Sequence, residues 1–137
     1  MNLHIQEYSG RKVYIIDSDP SSNNWECFSF QRIMPGVTVR SAFSADRALE
    51  MLEDDLPVDF LSVAGSANFM GKEQPTLVEE VLARKILPPE RVLIYSSAPA
   101  NHEELAKRTG VGLLGVNPDR PRQLAEYVAQ RLSSQQA

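Results

Sequence analysis

Five short apolar runs, rich in β-branched or aromatic residues, recur along the chain: VYII (13–16), VTVRSA (37–42), VDFLSVA (58–64), VLIYSS (92–97) and VGLLGV (111–116). Each has the length of a strand, and most are apolar throughout, the pattern of strands covered on both faces. The segments between them carry helical spacing. Ala45, Ala48, Leu49 and Leu52 fall at i, i+3, i+4 and i+7, Leu77, Val78, Val81 and Leu82 group likewise, and Leu124, Tyr127, Val128 and Leu132 line up in the last segment. In the first segment Trp25, Phe28 and Ile33 fall roughly on one face, and Trp25, Phe28 and Phe30 are expected in the core. The fourth, NHEELAKR, is short and weakly amphipathic. Boundary residues agree with this division. Asp19 before Pro20 is an N-cap with proline at the first helical position, Ser44 caps the second helix, Asn101 with Glu104 has capping-box spacing, and Gly110 suits a left-handed helix end.

Strand and helix thus alternate five times. Buried parallel strands need helices on both faces, and right-handed crossovers leave a (βα)5 doubly wound α/β sandwich of three layers, with strand order 2-1-3-4-5. The expected organisation is an N-terminal arm over 1–10, one domain over 11–132 and a short tail over 133–137. A chain of 137 residues is long enough to bury the core of one such domain.

Composition narrows the function. Net charge is −4 with the two signs interspersed, and RPR at 120–122 is too short a basic run to read as a nucleic-acid surface. Cys27 is the only thiol, so neither an intrachain disulfide nor a cysteine-based zinc site can form, and it reads as a small buried residue. No apolar stretch approaches the roughly 20 residues that span a bilayer, and MNLHIQEYSG lacks a signal peptide's basic start and apolar core. A cytoplasmic protein is expected.

A doubly wound sheet binds ligands at the carboxyl ends of its strands, where strand order reverses. Asp17 to Asp19, Ala64 to Ser66, Ser96, Ser97 and Asn117 should gather there. With IIDSDP closing the first strand, the pair VDFLSVAG and VLIYSSA, and the closing GVGLLGVNP, the chain resembles the receiver domains of bacterial response regulators over about residues 11–132. The resemblance implies a receiver or flavodoxin-like sandwich and a role in two-component signalling. It also implies a site that uses two adjacent acids for Mg²⁺, an aspartate that accepts a phosphoryl group, a hydroxyl and a lysine. An acyl phosphate forms only where a carboxylate attacks phosphorus while cations neutralise the transferring oxygens. Residue by residue, Asp17 matches the first acid but Ser18 the second, and the acceptor position falls on Ala64. Ser96 matches the hydroxyl, Asn117 followed by Pro118 stands at the lysine position, and Leu114 stands at the aromatic position of strand five. A methyl group cannot accept phosphate, so the expectation is a pseudo-receiver with a degenerate phosphorylation site.

Other chemistry has less support. Asp17 and Asp19 are two carboxylates where Mg²⁺ wants an octahedron of oxygens, and Asp19 is better suited to capping; no metal and no cofactor is expected. Ser62, Ser66, Ser96 and Ser97 lack a placed base, since His4 lies in the arm and His102 at the start of the fourth helix, so no enzyme is expected. The alternative is a small-ligand or nucleotide sensor using the crevice at the ends of strands one and three. The main expectation is a signalling module that acts by protein–protein interaction on a partner or on an output domain of its own chain. The resemblance places that contact on helix four, strand five and helix five, where His102, Glu103, Lys107, Arg108, Arg122, Tyr127 and Arg131 lie. A homodimer is also compatible with the sequence.

Overall fold

The computed structural model describes residues 8–71, 73–117, 119–120 and 122–135. His4 and most of the expected arm, Pro118 and the end of the tail lie outside them. Five strands, β1 (Lys12–Ile16), β2 (Thr38–Ala42), β3 (Phe60–Ala64), β4 (Val92–Ser96) and β5 (Gly112–Gly115), alternate with α1 (Pro20–Ile33), α2 (Ala45–Asp54), α3 (Leu77–Ala83), α4 (Glu103–Thr109) and α5 (Gln123–Gln135). The sheet is wholly parallel in the order β2-β1-β3-β4-β5. This is the expected architecture, and it follows from burial. Every residue of β3, the middle strand, is buried, whereas the edge strands β2 and β5 are mostly half-exposed. Only a strand with neighbours on both sides and helices on both faces needs to be apolar throughout.

Most helix boundaries lie where side chains supply the missing backbone partners. The Asp19 carboxylate accepts from the Ser21 N–H at 3.0 Å with Pro20 beginning α1, and Ser44 Oγ accepts from the Arg47 N–H at 3.3 Å. Gly110 ends α4 at φ 81°, a left-handed conformation in which a Cβ is strained. The capping box, however, belongs to α3 and not to α4. Thr76 and Glu79 satisfy each other reciprocally, while α4 follows a 3-10 turn over Pro99–His102 whose backbone takes the place of an Asn101 cap.

The first helix turns a different face inward from the one its aromatics suggest. Trp25 is 59% exposed and Phe28 52%, and only Phe30 of the three is in the core. The buried line runs through Asn23, Phe30 and Met34, with Glu26, Cys27 and Ile33 half-buried beside it. The reason lies at the ends of the strands. Asn23 Nδ2 donates to the Asp17 and Ala42 carbonyls, at 3.1 Å each, tying together the ends of β1 and β2 where the Ala42 carbonyl also accepts from the Asp17 N–H. A helix rotated to bury Trp25 would lose that staple. Trp25 and Phe28 instead meet edge to face, centroids 6.1 Å apart, with the Arg32 guanidinium 5.7 Å from the Phe28 centroid. Cys27 is half-buried rather than buried; its thiol donates to Asn23 Oδ1 at 3.6 Å, and burial pushes its pKa up.

Candidate functional site

The carboxyl ends of the strands open into a crevice of about 650 Å³ between α1 and the loops after β3, β4 and β5. Asp17, Ala64, Ser96 and Asn117 all line it, so the fold brings together four of the five residues that the sequence nominated; Ser18 is exposed beside it. Leu114 lies half-buried in β5.

At the bottom of the crevice, Ile16 of β1 pairs with Val63, and one residue further the same register sets Asp17 beside Ala64. Ala64 in turn pairs with Tyr95 of β4. Residues in register across a parallel sheet project to the same face, so the Tyr95 ring leans over Ala64 toward Asp17. Its hydroxyl donates to Asp17 Oδ2 at 3.0 Å, while Asp17 Oδ1 accepts from the Asp19 N–H at 3.0 Å. Asp17 is 6% exposed and Tyr95 5%. Burial, and then the Asp17 charge, push the Tyr95 phenol far above its ordinary range, so it keeps its proton and acts as a donor. The methyl of Ala64 is what allows this bond. A longer side chain there would stand between the phenol and the carboxylate, and an acid would set a second negative charge beside Asp17.

Ser96 and Asn117 are turned to local duties. Ser96 Oγ accepts from the Ala98 N–H at 3.0 Å, and Asn117 Oδ1 accepts from the Asp119 N–H at 2.9 Å, each closing its own turn. Gln123 clamps the β5–α5 loop, with Oε1 accepting from the Asn117 N–H and Nε2 donating to the Gly115 carbonyl. The donor set does not suit Mg²⁺. Ser18 replaces one acid, Ala64 offers no oxygen, both Asp17 oxygens are engaged, and Asp19 caps α1. Among the described residues no three His, Cys, Asp or Glu side chains converge on one point.

Of the crevice residues that escaped the sequence reading, Tyr95 and Glu26 bear most on its chemistry. Tyr95 reads there as one more apolar strand residue, because only the strand order brings β4 within reach of β1 across β3. Glu26, from the inward face of α1, also lines the crevice. Its Oε2 is buried with no hydrogen-bond partner among the described residues. Burial, and then the Asp17 charge, push its carboxyl up to about 7. The available signal was the i, i+3, i+7 spacing of Asn23, Glu26 and Phe30, which competes with the aromatic face.

The expected partner face is only partly free. The His102 ring packs against Gly65, so closely that a Cβ on Gly65 would lie 2.2 Å from its Nε2. His102 therefore belongs to the loop after β3, next to Ser66, and no hydrogen bond joins the two among the described residues. Arg108 pairs with Glu79 of α3 at 2.8 Å, which ties it to the other neighbour of α4. Tyr127 is half-buried over Gly112 with the Arg131 guanidinium 5.5 Å from its ring centroid. Glu103, Lys107, Arg122 and Arg131 are exposed.

No family model matches the sequence, and no curated protein matches it either. Solved structures do. A response regulator receiver domain protein (CheY-like) from Methanospirillum hungatei JF-1 superposes with a TM-score of 0.72, covering 92% of this chain and 96% of that one at 17% identity. A response regulator receiver domain protein from Clostridium thermocellum gives 0.69, with 92% and 97% covered at 17% identity. The receiver domain of the Francisella response regulator 1452 gives 0.69, with 91% and 98% covered at 19% identity. The chain thus has the receiver fold over nearly its whole length. Among the described residues no helix is long and apolar enough to cross a membrane.

Proposed function

We propose that this chain is a pseudo-receiver, a non-catalytic signalling module that works without phosphorylation, through contact with a partner protein or an output domain of its own chain. One observation carries the reading. The Tyr95 hydroxyl occupies Asp17 across the methyl of Ala64, in the space where a receiver needs a metal ion and an acceptor carboxylate. Acyl phosphate formation requires an attacking carboxylate and cationic neutralisation of the phosphoryl oxygens, and this arrangement offers neither. The partner contact is assigned to α4, β5 and α5, where Glu103, Lys107, Arg122 and Arg131 stand exposed around the half-buried Tyr127, a mixed-charge rim about an aromatic of the kind that specific interfaces use.

The test is to add Mg²⁺ with beryllofluoride, then with a small-molecule phosphodonor, and to follow backbone amides by NMR. Amides around Asp17, Ala64 and Ser96 should stay in place. Saturable shifts confined to those residues, or a hydroxylamine-labile adduct by mass spectrometry, would overturn the reading. The partner assignment is checked separately, by charge reversal of Lys107 and Arg122, which should abolish capture of a partner that the unaltered protein retains.

A further inference from the structure

Glu26 has no part in the reading above, yet its position is chemically unusual. Its carboxyl lies in the layer between α1 and the sheet, on the face where Tyr95 reaches Asp17. One oxygen is wholly buried and meets no donor among the described residues. A buried carboxyl oxygen without a partner is costly when neutral and far more so when charged, most of all beside a second carboxylate. The same side chain lines the crevice, so a short path to solvent is open to it.

The surroundings fix which form each position favours. Asp17 faces Glu26 from just beyond the end of β1, Tyr95 from β4, and Cys27 neighbours it on α1. From α5, which packs on α1, come the buried apolar residues Leu124, Ala125 and Val128. None of these is a cation, so the inner position stabilises only the protonated acid. Two charges line the outer part of the crevice, Asp19 and Arg120, both exposed, and Arg120 is its one cation among the described residues. Trp25, the residue before Glu26 and the only tryptophan of the chain, lines the same crevice.

We infer that Glu26 is a proton-operated switch: protonated, it rests inside beside Asp17 and Tyr95; ionised, it swings to the crevice mouth near Arg120 and shifts the Trp25 indole. Here a proton is the ligand, in a crevice where receivers hold a phosphoryl group, and the signal leaves by the exposed Trp25–Phe28–Arg32 face of α1. The upward displacement of the carboxyl to about 7 sets the working range at neutral pH. The inference stands apart from the phosphorylation question, since a chain that bound beryllofluoride could still carry the switch, and one that did not could lack it.

The experiment titrates Trp25 fluorescence from pH 5.5 to 8.5 in the full chain, with Glu26→Gln and His102→Gln beside it. A one-proton transition centred near 7 is expected in the wild type and in His102→Gln, and its loss in Glu26→Gln. Arg120→Gln should move the midpoint upward, because the ionised position loses its cation. Should Glu26→Gln fail to fold, the carboxyl carbon of Glu26, followed by NMR in the wild type, decides the matter. A carboxyl carbon that titrates below pH 5.5, a flat wild-type profile, or a transition that survives Glu26→Gln or vanishes in His102→Gln would overturn the inference.

Discussion

Tyr95→Phe removes one oxygen and tests the central contact. The substitution keeps the ring over Ala64 and takes away only the donor to Asp17 Oδ2, leaving the carboxylate of a residue 6% exposed with a single donor among the described residues, the Asp19 N–H. A hydrogen bond to a charged group is worth roughly 1.5–3 kcal/mol, and stripping a buried acceptor of its partner costs about 1–3 kcal/mol. The crevice opens to solvent, so a water can replace part of the lost bond. The expected loss is therefore about 2 kcal/mol, which for a domain of this size lowers Tm by roughly 6–10 °C. Urea unfolding at pH 7.5, followed by far-ultraviolet circular dichroism, measures it; the midpoint should fall while the slope is unchanged. A double-mutant cycle with Asp17→Ala isolates the pair, with a coupling of at least about 1 kcal/mol expected. A loss under about 0.5 kcal/mol, or a coupling indistinguishable from zero, would refute the idea that Tyr95 and Asp17 close the site.

Gly65→Ala puts a methyl into the His102 ring; a loss of about 1–3 kcal/mol is expected, and His102→Ala in the same chain should recover most of it, both read by thermal denaturation. Asp55 accepts from Lys12 Nζ at 2.6 Å and from the Tyr14 hydroxyl at 2.7 Å, and these bonds, the Lys12 bond first, hold its carboxyl below the ordinary value of 3.8. Its contribution to stability is thus complete above the unfolded value and is lost as pH falls through the lower folded one, so Asp55→Asn should flatten the acid limb of the stability profile below about pH 4. At Gly110 a Cβ would have room, 3.6 Å from Pro89, but φ is 81°, so Gly110→Ala should cost about 1 kcal/mol through the backbone alone, as measured by chemical denaturation.

Much of the architecture was legible because it rests on local rules. Alternating strand-like and helical segments, Asp19 with Pro20, Ser44 and Gly110 declare themselves within a few residues, and parallel pairing with right-handed crossovers allows few sheets. The α1 face was misread because two sets of residues share helical spacing, one aromatic and one mixed. Hydropathy favours the first; the Asp17 and Ala42 carbonyls that Asn23 bridges, which only the assembled strands bring together, favour the second. The α4 start was misread because a 3-10 turn cannot be told from a cap by residue type alone.

By itself, the sequence determined the order of elements, a parallel sheet between helical layers, and a methyl at residue 64. Those are matters of residue type and periodicity, which do not depend on distant neighbours. Tertiary structure alone decided that Tyr95 meets Asp17, that Glu26 lies inside while Trp25 lies outside, and that His102 rests on Gly65. The first and last join residues far apart in the chain, and the second depends on which side of α1 meets the sheet. All three follow from strand order and register, which no local stretch of chain encodes.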